Sequence, residues 1–240
     1  MLQTRTQTSP WRRAFGLGTA MPQWIVAGSR RDKRLYERTK RVFDVVLSIV
    51  LLVLLAPLML LIAIAIKLDS PGPVIYVQKR VGKDGLVFPF YKFRSMTNGD
   101  HTHTHREFAR AYINGHSAIT DGLQKPPGAL RAVTRVGRIL RKTSLDELPQ
   151  LVCILKGDMS FVGPRPLMAY EAEAFEPWQW RRVDVTPGLT GLAQINGRSR
   201  LSFDEIVRLD LQYIEARSWG LDFSILLRTI PQVLAGKDAG

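Results

Sequence analysis

The longest feature in the pattern of apolar and polar positions is a nearly unbroken apolar run from Val42 to Ile66. It exceeds the roughly 20 residues that a bilayer-crossing helix needs. Asp69-Ser70-Pro71-Gly72-Pro73 stops any helix that follows. Residues 74–80 and 86–93, rich in β-branched and aromatic side chains, flank Gly82-Lys83-Asp84-Gly85 and predict a β-hairpin, with Pro89 suited to an edge. The stretch 97–130 is polar, with a short helix expected over Arg106–Ile113 and Pro126-Pro127-Gly128 closing it. Beyond Ala129 the apolar spacing predicts helices over Leu130–Arg141, Pro149–Lys156, Leu167–Arg182, Phe203–Ala216 and Phe223–Leu234, joined by Gly/Pro-rich loops. Residues 1–29 read as poorly ordered, with Trp11 and Trp24 near a membrane interface. No internal repeat is visible.

Charge changes the reading of the apolar run. Arg30, Arg31, Lys33, Arg34, Arg38, Lys40 and Arg41 precede it; Lys67, Lys79, Arg80, Lys83, Lys92 and Arg94 follow. Lys and Arg favour the cytoplasmic side, so a simple span would put one basic flank on the wrong side. Pro57 removes a backbone donor mid-run, and a helix bent at Ala56-Pro57 could enter and return. By itself the segment favours an ordinary kinked span, because proline is common in membrane helices. Asp44 is expected to pair with Lys40 and Arg41. The net charge of +13 implies anionic partners. Beside a membrane segment, lipid headgroups and phosphorylated substrates come ahead of nucleic acid. The single Cys153 cannot form an intramolecular disulfide and reads as a buried apolar residue. No secretory signal is evident in the first 30 residues, and the polar mass after the run is expected in the cytoplasm.

Several short constellations could carry chemistry. Asp146-Glu147 lies just before Pro149, which is tolerated only in the first turn of a helix. Amides at such a terminus favour anions, an aspartate can attack phosphorus, and a neighbouring carboxylate can hold Mg²⁺. The plainer reading is a capping box of Ser144 with Glu147, or Asp146 as an N-cap. Gly163-Pro164-Arg165-Pro166 stiffens the backbone around a guanidinium whose fork suits phosphate oxygens, or is simply a rigid turn. The glycine-punctuated loop Thr186–Arg198 matches neither a Walker A nor a dinucleotide fingerprint, although Gln194, Asn196 and Arg198 could touch a nucleotide. Asp210 and Tyr213 share a helix face. His101, His103 and His105 alternate among threonines, a weak metal signal.

Taken in order, six blocks resemble the bacterial sugar transferases, the polyprenyl-phosphate phosphoglycosyl transferases. They are Lys40-Arg41-Val42-Phe43-Asp44, Tyr91-Lys92-Phe93-Arg94-Ser95-Met96, Leu145–Leu151, Lys156–Pro166, Pro187–Gly191 and Leu209–Tyr213. The resemblance covers about Lys40 to Leu234 and implies an α+β, mostly α fold. Its parts would be a variable segment 1–29, a basic flank with a re-entrant membrane helix over 30–69, broken near Pro57, and a cytoplasmic catalytic domain over 70–240. That domain would carry a membrane-proximal hairpin and a loop-rich site.

The resemblance further implies transfer of a sugar-1-phosphate from a nucleotide diphosphate sugar, usually UDP-linked, to undecaprenyl phosphate at the bacterial inner membrane. This step would open exopolysaccharide, O-antigen or related synthesis. Asp146 would be the nucleophile, and Glu147 would serve metal binding or proton transfer, with Mg²⁺ the cofactor. Arg141, Arg165 and Lys92 would hold phosphate oxygens, with Asp210, Gln194 and Arg198 supporting. Lys40, Arg41 and Pro57 would lie at the lipid-phosphate interface. Membrane lipids are expected partners, nucleic acid is not, and homo-oligomerisation stays open. The chain departs from the family in having Ala56-Pro57 where Ser-Pro is common, and in a long 101–128 stretch. Two other readings remain: a basic membrane-anchored scaffold, and a conventional lipid-acceptor glycosyltransferase.

Overall fold

In the computed structural model the described residues are 30–97, 113, 133–173, 175–197 and 201–235. Leucine-rich sequence gives helix α1, Arg30–Asp69, which contains the whole apolar run and carries Pro57 within it. The expected break near Pro57 is therefore not an interruption of the helix. Proline forfeits one i→i−4 hydrogen bond, and strong helix formers on both sides hold the rest of the ladder. Just past the helix end Arg94 holds the chain, donating to Ser70 O at 2.6 Å and Pro71 O at 2.7 Å.

The hairpin forms as the alternation predicts. Strands β1 (Ile75–Val81) and β2 (Val87–Phe93) pair antiparallel from Ile75↔Phe93 to Val81↔Val87. Helix α2 (Arg135–Thr143) starts later than the periodicity suggests, at the N-cap Thr134, whose hydroxyl accepts from Gly137 N. Helix α3 (Gln150–Lys156) follows Pro149 and ends at Gly157, whose φ of 97° suits glycine.

Two expectations fail beyond this point. The loops around Gly163 and Gly188 contain a parallel pair, β3 (Ser160–Val162) with β5 (Gly188–Thr190), in the register Ser160↔Gly188 and Val162↔Thr190. The helix expected over Leu167–Arg182 is instead strand β4 (Leu167–Met168), a short helix α4 (Ala169–Ala172) and a 3₁₀ segment, Gln179–Asp184. Leu167 and Met168 pair with Val81 and Arg80, giving a three-stranded sheet ordered β2-β1-β4, and Pro177 blocks a continuous helix. Helices α5 (Leu192–Ile195), α6 (Phe203–Ala216) and α7 (Trp219–Ala235) complete the fold. Ser202 and Glu205 cap α6 reciprocally.

Both halves of α1 grip this domain. Phe43, Leu47, Leu51 and Leu52 pack on the main core built around Phe90, Leu151, Ile154 and Phe161. Met59, Ile62 and Ile66 pack with Phe93, Leu140, Leu145 and Leu148. The expected Asp44 ion pair does not form. Asp44 is buried and accepts from Phe161 N, Lys40 bonds Asp222 at 2.6 Å, and Arg41 caps α3 through Ile154 O and Leu155 O. Desolvating a carboxylate favours the fixed amide of a strand over a flexible lysine that has a closer partner elsewhere.

The β3–β5 junction has no room for side chains: a Cβ on Gly188 would lie 2.1 Å from Gly163 N. Gly188→Ala should cost about 1–3 kcal/mol or more. Chemical denaturation of the purified protein will show this as a lower midpoint at unchanged slope.

Candidate active site

The site turn is built by a reversal after α2. Ser144 adopts φ 57°, and a 3₁₀ turn, Leu145–Glu147, follows, closed by Glu147 N to Ser144 O. Leu145 and Leu148 point into the cluster containing Ile62 and Ile66, so the residues between them are bolted to the second half of α1. Ser144 makes no side-chain cap, so neither the capping box nor an Asp146 N-cap is formed; Pro149 occupies the α3 N-cap.

Lys92 Nζ donates to Glu147 Oε1 at 2.7 Å and lies 3.5 Å from Asp146 Oδ2. Asp146 is 7% exposed. Burial raises its pKa; Lys92 pulls it back, Glu147 pushes it up, and Arg141 pulls it down. Arg141, in the last turn of α2, is thus the second cation acting on the nucleophile candidate. Among the described residues its guanidinium has no ion-pair partner.

Arg165 sits on a second element. Gly163 N donates to Thr190 O and Gly188 N donates to Pro164 O, zipping the Gly163–Pro166 turn to the glycine loop. The two motifs read separately in the sequence are one structure, with Arg165 exposed on it. Gln194 lies against this junction, since a Cβ on Gly191 would meet its Oε1 at 2.8 Å. The hairpin links the two regions: the Phe90 ring has Lys92 Nζ at 5.7 Å and Arg80 Cζ at 5.1 Å, and Arg80 Nη1 donates to Pro166 O.

The remaining expected site residues lie elsewhere. Asp210 is buried against Arg182 at 2.6 Å, and desolvation pushes its pKa up to about 6 despite that partner. It holds Arg182, which packs over the rings of Phe175 and Phe203. Lys40 and Arg41 serve the internal contacts given above, and Pro57 is exposed on α1. Arg198, the three histidines, Trp11 and Trp24 fall outside the described residues. Sequence reading missed a buried network in which Asp222 accepts from Lys40, Tyr36 and Tyr213. Partners 182 positions apart leave no local signal. It also missed Arg80, which looked like one more basic flank residue.

Comparison with known proteins identifies the class. The bacterial sugar transferase family model matches residues 35–236, and the chain belongs to that family. It is 41% identical over 201 residues to the galactosyl transferase CpsE of Streptococcus agalactiae, covering 83% of this chain and 43% of the relative. It is 40% identical to the exopolysaccharide production protein ExoY of Sinorhizobium fredii, covering 81% and 85%. It is 42% identical to the UDP-glucose:undecaprenyl-phosphate glucose-1-phosphate transferase of Caulobacter vibrioides, covering 83% and 71%. The chain thus spans less than half the length of the first relative and most of the other two.

If Asp210 is structural, removing one partner is worse than removing both. Arg182→Met or Asp210→Ala alone should lose about 3–5 kcal/mol, and the Arg182→Met/Asp210→Leu pair should recover much of it. Urea titration of the three variants checks this.

Proposed function

We propose that this protein transfers a sugar-1-phosphate from a UDP-linked sugar to undecaprenyl phosphate through a phosphosugar carried on Asp146. The observation that supports this most is the Asp146-Glu147 turn, surrounded by Lys92 and Arg141 and fastened by Leu145 and Leu148 to the apolar helix. Phosphoryl transfer needs positioned oxygens and neutralised charge rather than elaborate covalent machinery, and this turn offers both. In the first step an Asp146 carboxylate oxygen bonds to the sugar-linked phosphorus, and the bond to the nucleoside monophosphate breaks. In the second, an oxygen of undecaprenyl phosphate takes that phosphorus and the carboxylate leaves. Glu147 is placed to orient or to take a proton, and Arg141 and Arg165 to hold phosphate oxygens. The Caulobacter relative is named for this kind of transfer from UDP-glucose. Its name supports the donor class; the sugar itself is left to experiment.

Asp146 and Glu147 present hard oxygen ligands on one turn, and a cation, Lys92 Nζ, already sits between them. Among the described residues no group of three or more His, Cys, Asp or Glu could hold a metal ion, so only this carboxylate pair is offered. That suits Mg²⁺, which takes one or two carboxylates and completes its shell with water and substrate phosphates. The ion would neutralise charge on the diphosphate.

The membrane reading rests on where α1 touches the domain. A spanning helix must leave its domain for roughly 20 residues. Here the stretch between the last α1 residue on one core cluster, Leu52, and the first on the other, Met59, is 53–58, a length of about 9 Å. The opposite face is apolar and exposed from Val42 through Val46, Val50, Leu54 and Leu61 to Leu68, and the hairpin adds Tyr76, Val77, Leu86 and Val87. Phe223, Leu227 and Ile230 extend the apolar surface along α7. This favours a helix that lies in one leaflet without crossing it, with the domain on the cytoplasmic face of the inner membrane. Asp146 then lies near the headgroup plane, where a soluble nucleotide sugar meets a lipid phosphate.

Incubation with UDP-sugars labelled at the sugar phosphate should give a protein-bound label, and Asp146→Asn should remove it and cut turnover by about 10³-fold or more. Turnover undiminished in that variant contradicts the assignment. Release of a nucleoside diphosphate would instead favour a conventional glycosyltransferase, and indifference to Asp146 a scaffold. Because attack needs the carboxylate ionised and burial raises its pKa, activity should fall as pH drops through a value above that of an ordinary aspartate. Lys92→Met should move that acid limb to still higher pH, read from kcat/KM profiles.

A further inference from the structure

Arg80 is a buried cation with no carboxylate in ion-pair contact among the described residues. It lies on the central strand β1, opposite Phe88 and Met168, and is 5% exposed. Among the described residues its bonds go only to neutral acceptors: Nε to Gln78 Oε1 at 3.0 Å and Nη1 to Pro166 O at 3.2 Å. Its plane rests over Phe90. Burial lowers its pKa to about 10; Glu171 opposes that, and the neighbouring charge of Arg165 adds to it. An arginine so placed costs stability, because several kcal/mol of hydration are lost with no counter-charge in contact. A methionine or leucine would fill the same place against Phe88 and Phe90 without that cost.

The neutral partners point to what the residue does. Pro166 immediately follows Arg165, and Pro164 O on the other side is held by Gly188 N. The Arg165 turn is therefore pinned from both ends, by β5 on one side and by the hairpin through Arg80 on the other. The fork of a guanidinium reaches Gln78 and Pro166 at once, which a lysine cannot do. Both prolines lack an amide N–H with which to hold the turn by themselves.

We propose that Arg80 is a positioning residue for donor binding: it fixes the Pro166 carbonyl and so holds Arg165 where it meets the diphosphate of the nucleotide sugar. This rests on the sugar-phosphate transfer reading given above. Arg80 acts through Arg165 and touches neither Asp146 nor the transferred group.

The test is a double-mutant cycle read by KM and by stability together. Arg80→Met should leave the denaturation midpoint unchanged or raise it, yet increase KM for UDP-glucose, or whichever UDP-sugar is turned over, by about tenfold, with kcat within about threefold. Added to Arg165→Ala it should change KM less than about twofold, because the positioned contact is already gone. Arg80→Lys should recover only part of the loss. Multiplying effects, an unchanged KM, or a loss of stability proportional to the loss of activity would overturn the proposal. Should Arg80→Met fail to fold, Gln78→Met frees Nε alone and should give a smaller KM rise with the same non-additivity. Titration of UMP and UDP-glucose onto each variant, which needs no turnover, separates this idea from the transfer reading. A wild-type chain that binds both probes but never transfers sinks only the latter, and one that binds neither sinks both.

Discussion

The structure depends on the packing of Leu145 and Leu148 against Ile62 and Ile66 of the apolar helix. The two leucines are partly buried, so each contributes less than the roughly 1.5–3 kcal/mol of a fully buried side chain, and they bracket Asp146-Glu147. The candidate site turn is thereby fastened to the helix. The other half of α1 is held by different forces. Arg41 takes the free carbonyls at the end of α3, Asp44 takes an amide of β3, and Lys40 joins Asp222 in a buried network with two tyrosines. The basic residues before the apolar run, which look like lipid ligands in the sequence, here act as fasteners between membrane helix and domain.

Charge is distributed in two ways. Around Asp146 burial and Glu147 oppose ionisation while Lys92 and Arg141 favour it, and burial, the largest influence, leaves a poorly solvated carboxyl with a raised pKa. That suits a nucleophile better than a tightly salt-bridged aspartate would. Asp210 shows the contrast: buried beside one close arginine, it has the environment of a structural pair. Arg80 belongs to neither pattern: among the described residues it bonds only neutral acceptors, one of them in the turn that carries Arg165.

Local signals were legible in the sequence. The apolar run, the Gly82–Gly85 hairpin, the helix after Pro149 and the capped helix from Phe203 all appear close to where spacing and turn chemistry place them. Asp146 and Glu147 stood out through Pro149, although spacing could not say whether they cap a helix; the left-handed Ser144 decides that. Long-range pairing stayed hidden. Leu167–Arg182 has helical composition, but its first two residues are claimed by the edge of β1. The glycines at 163 and 188 read as loop punctuation and turn out to be the contact surface of a parallel strand pair. Lys92 and Glu147, 55 positions apart, have no periodicity to connect them.

The central claim is the proposal that the domain, which packs on both halves of the apolar helix, keeps that helix in one leaflet rather than across the membrane. Lys33 and Lys67 lie on α1 at opposite ends of the apolar run. Single cysteines at these two positions, in a Cys153→Ala background, can be probed with a membrane-impermeant thiol reagent in intact and in permeabilised bacterial cells. The account predicts that both are protected in intact cells and label together once the cytoplasm is opened. Labelling of one from outside and the other only from inside would contradict it.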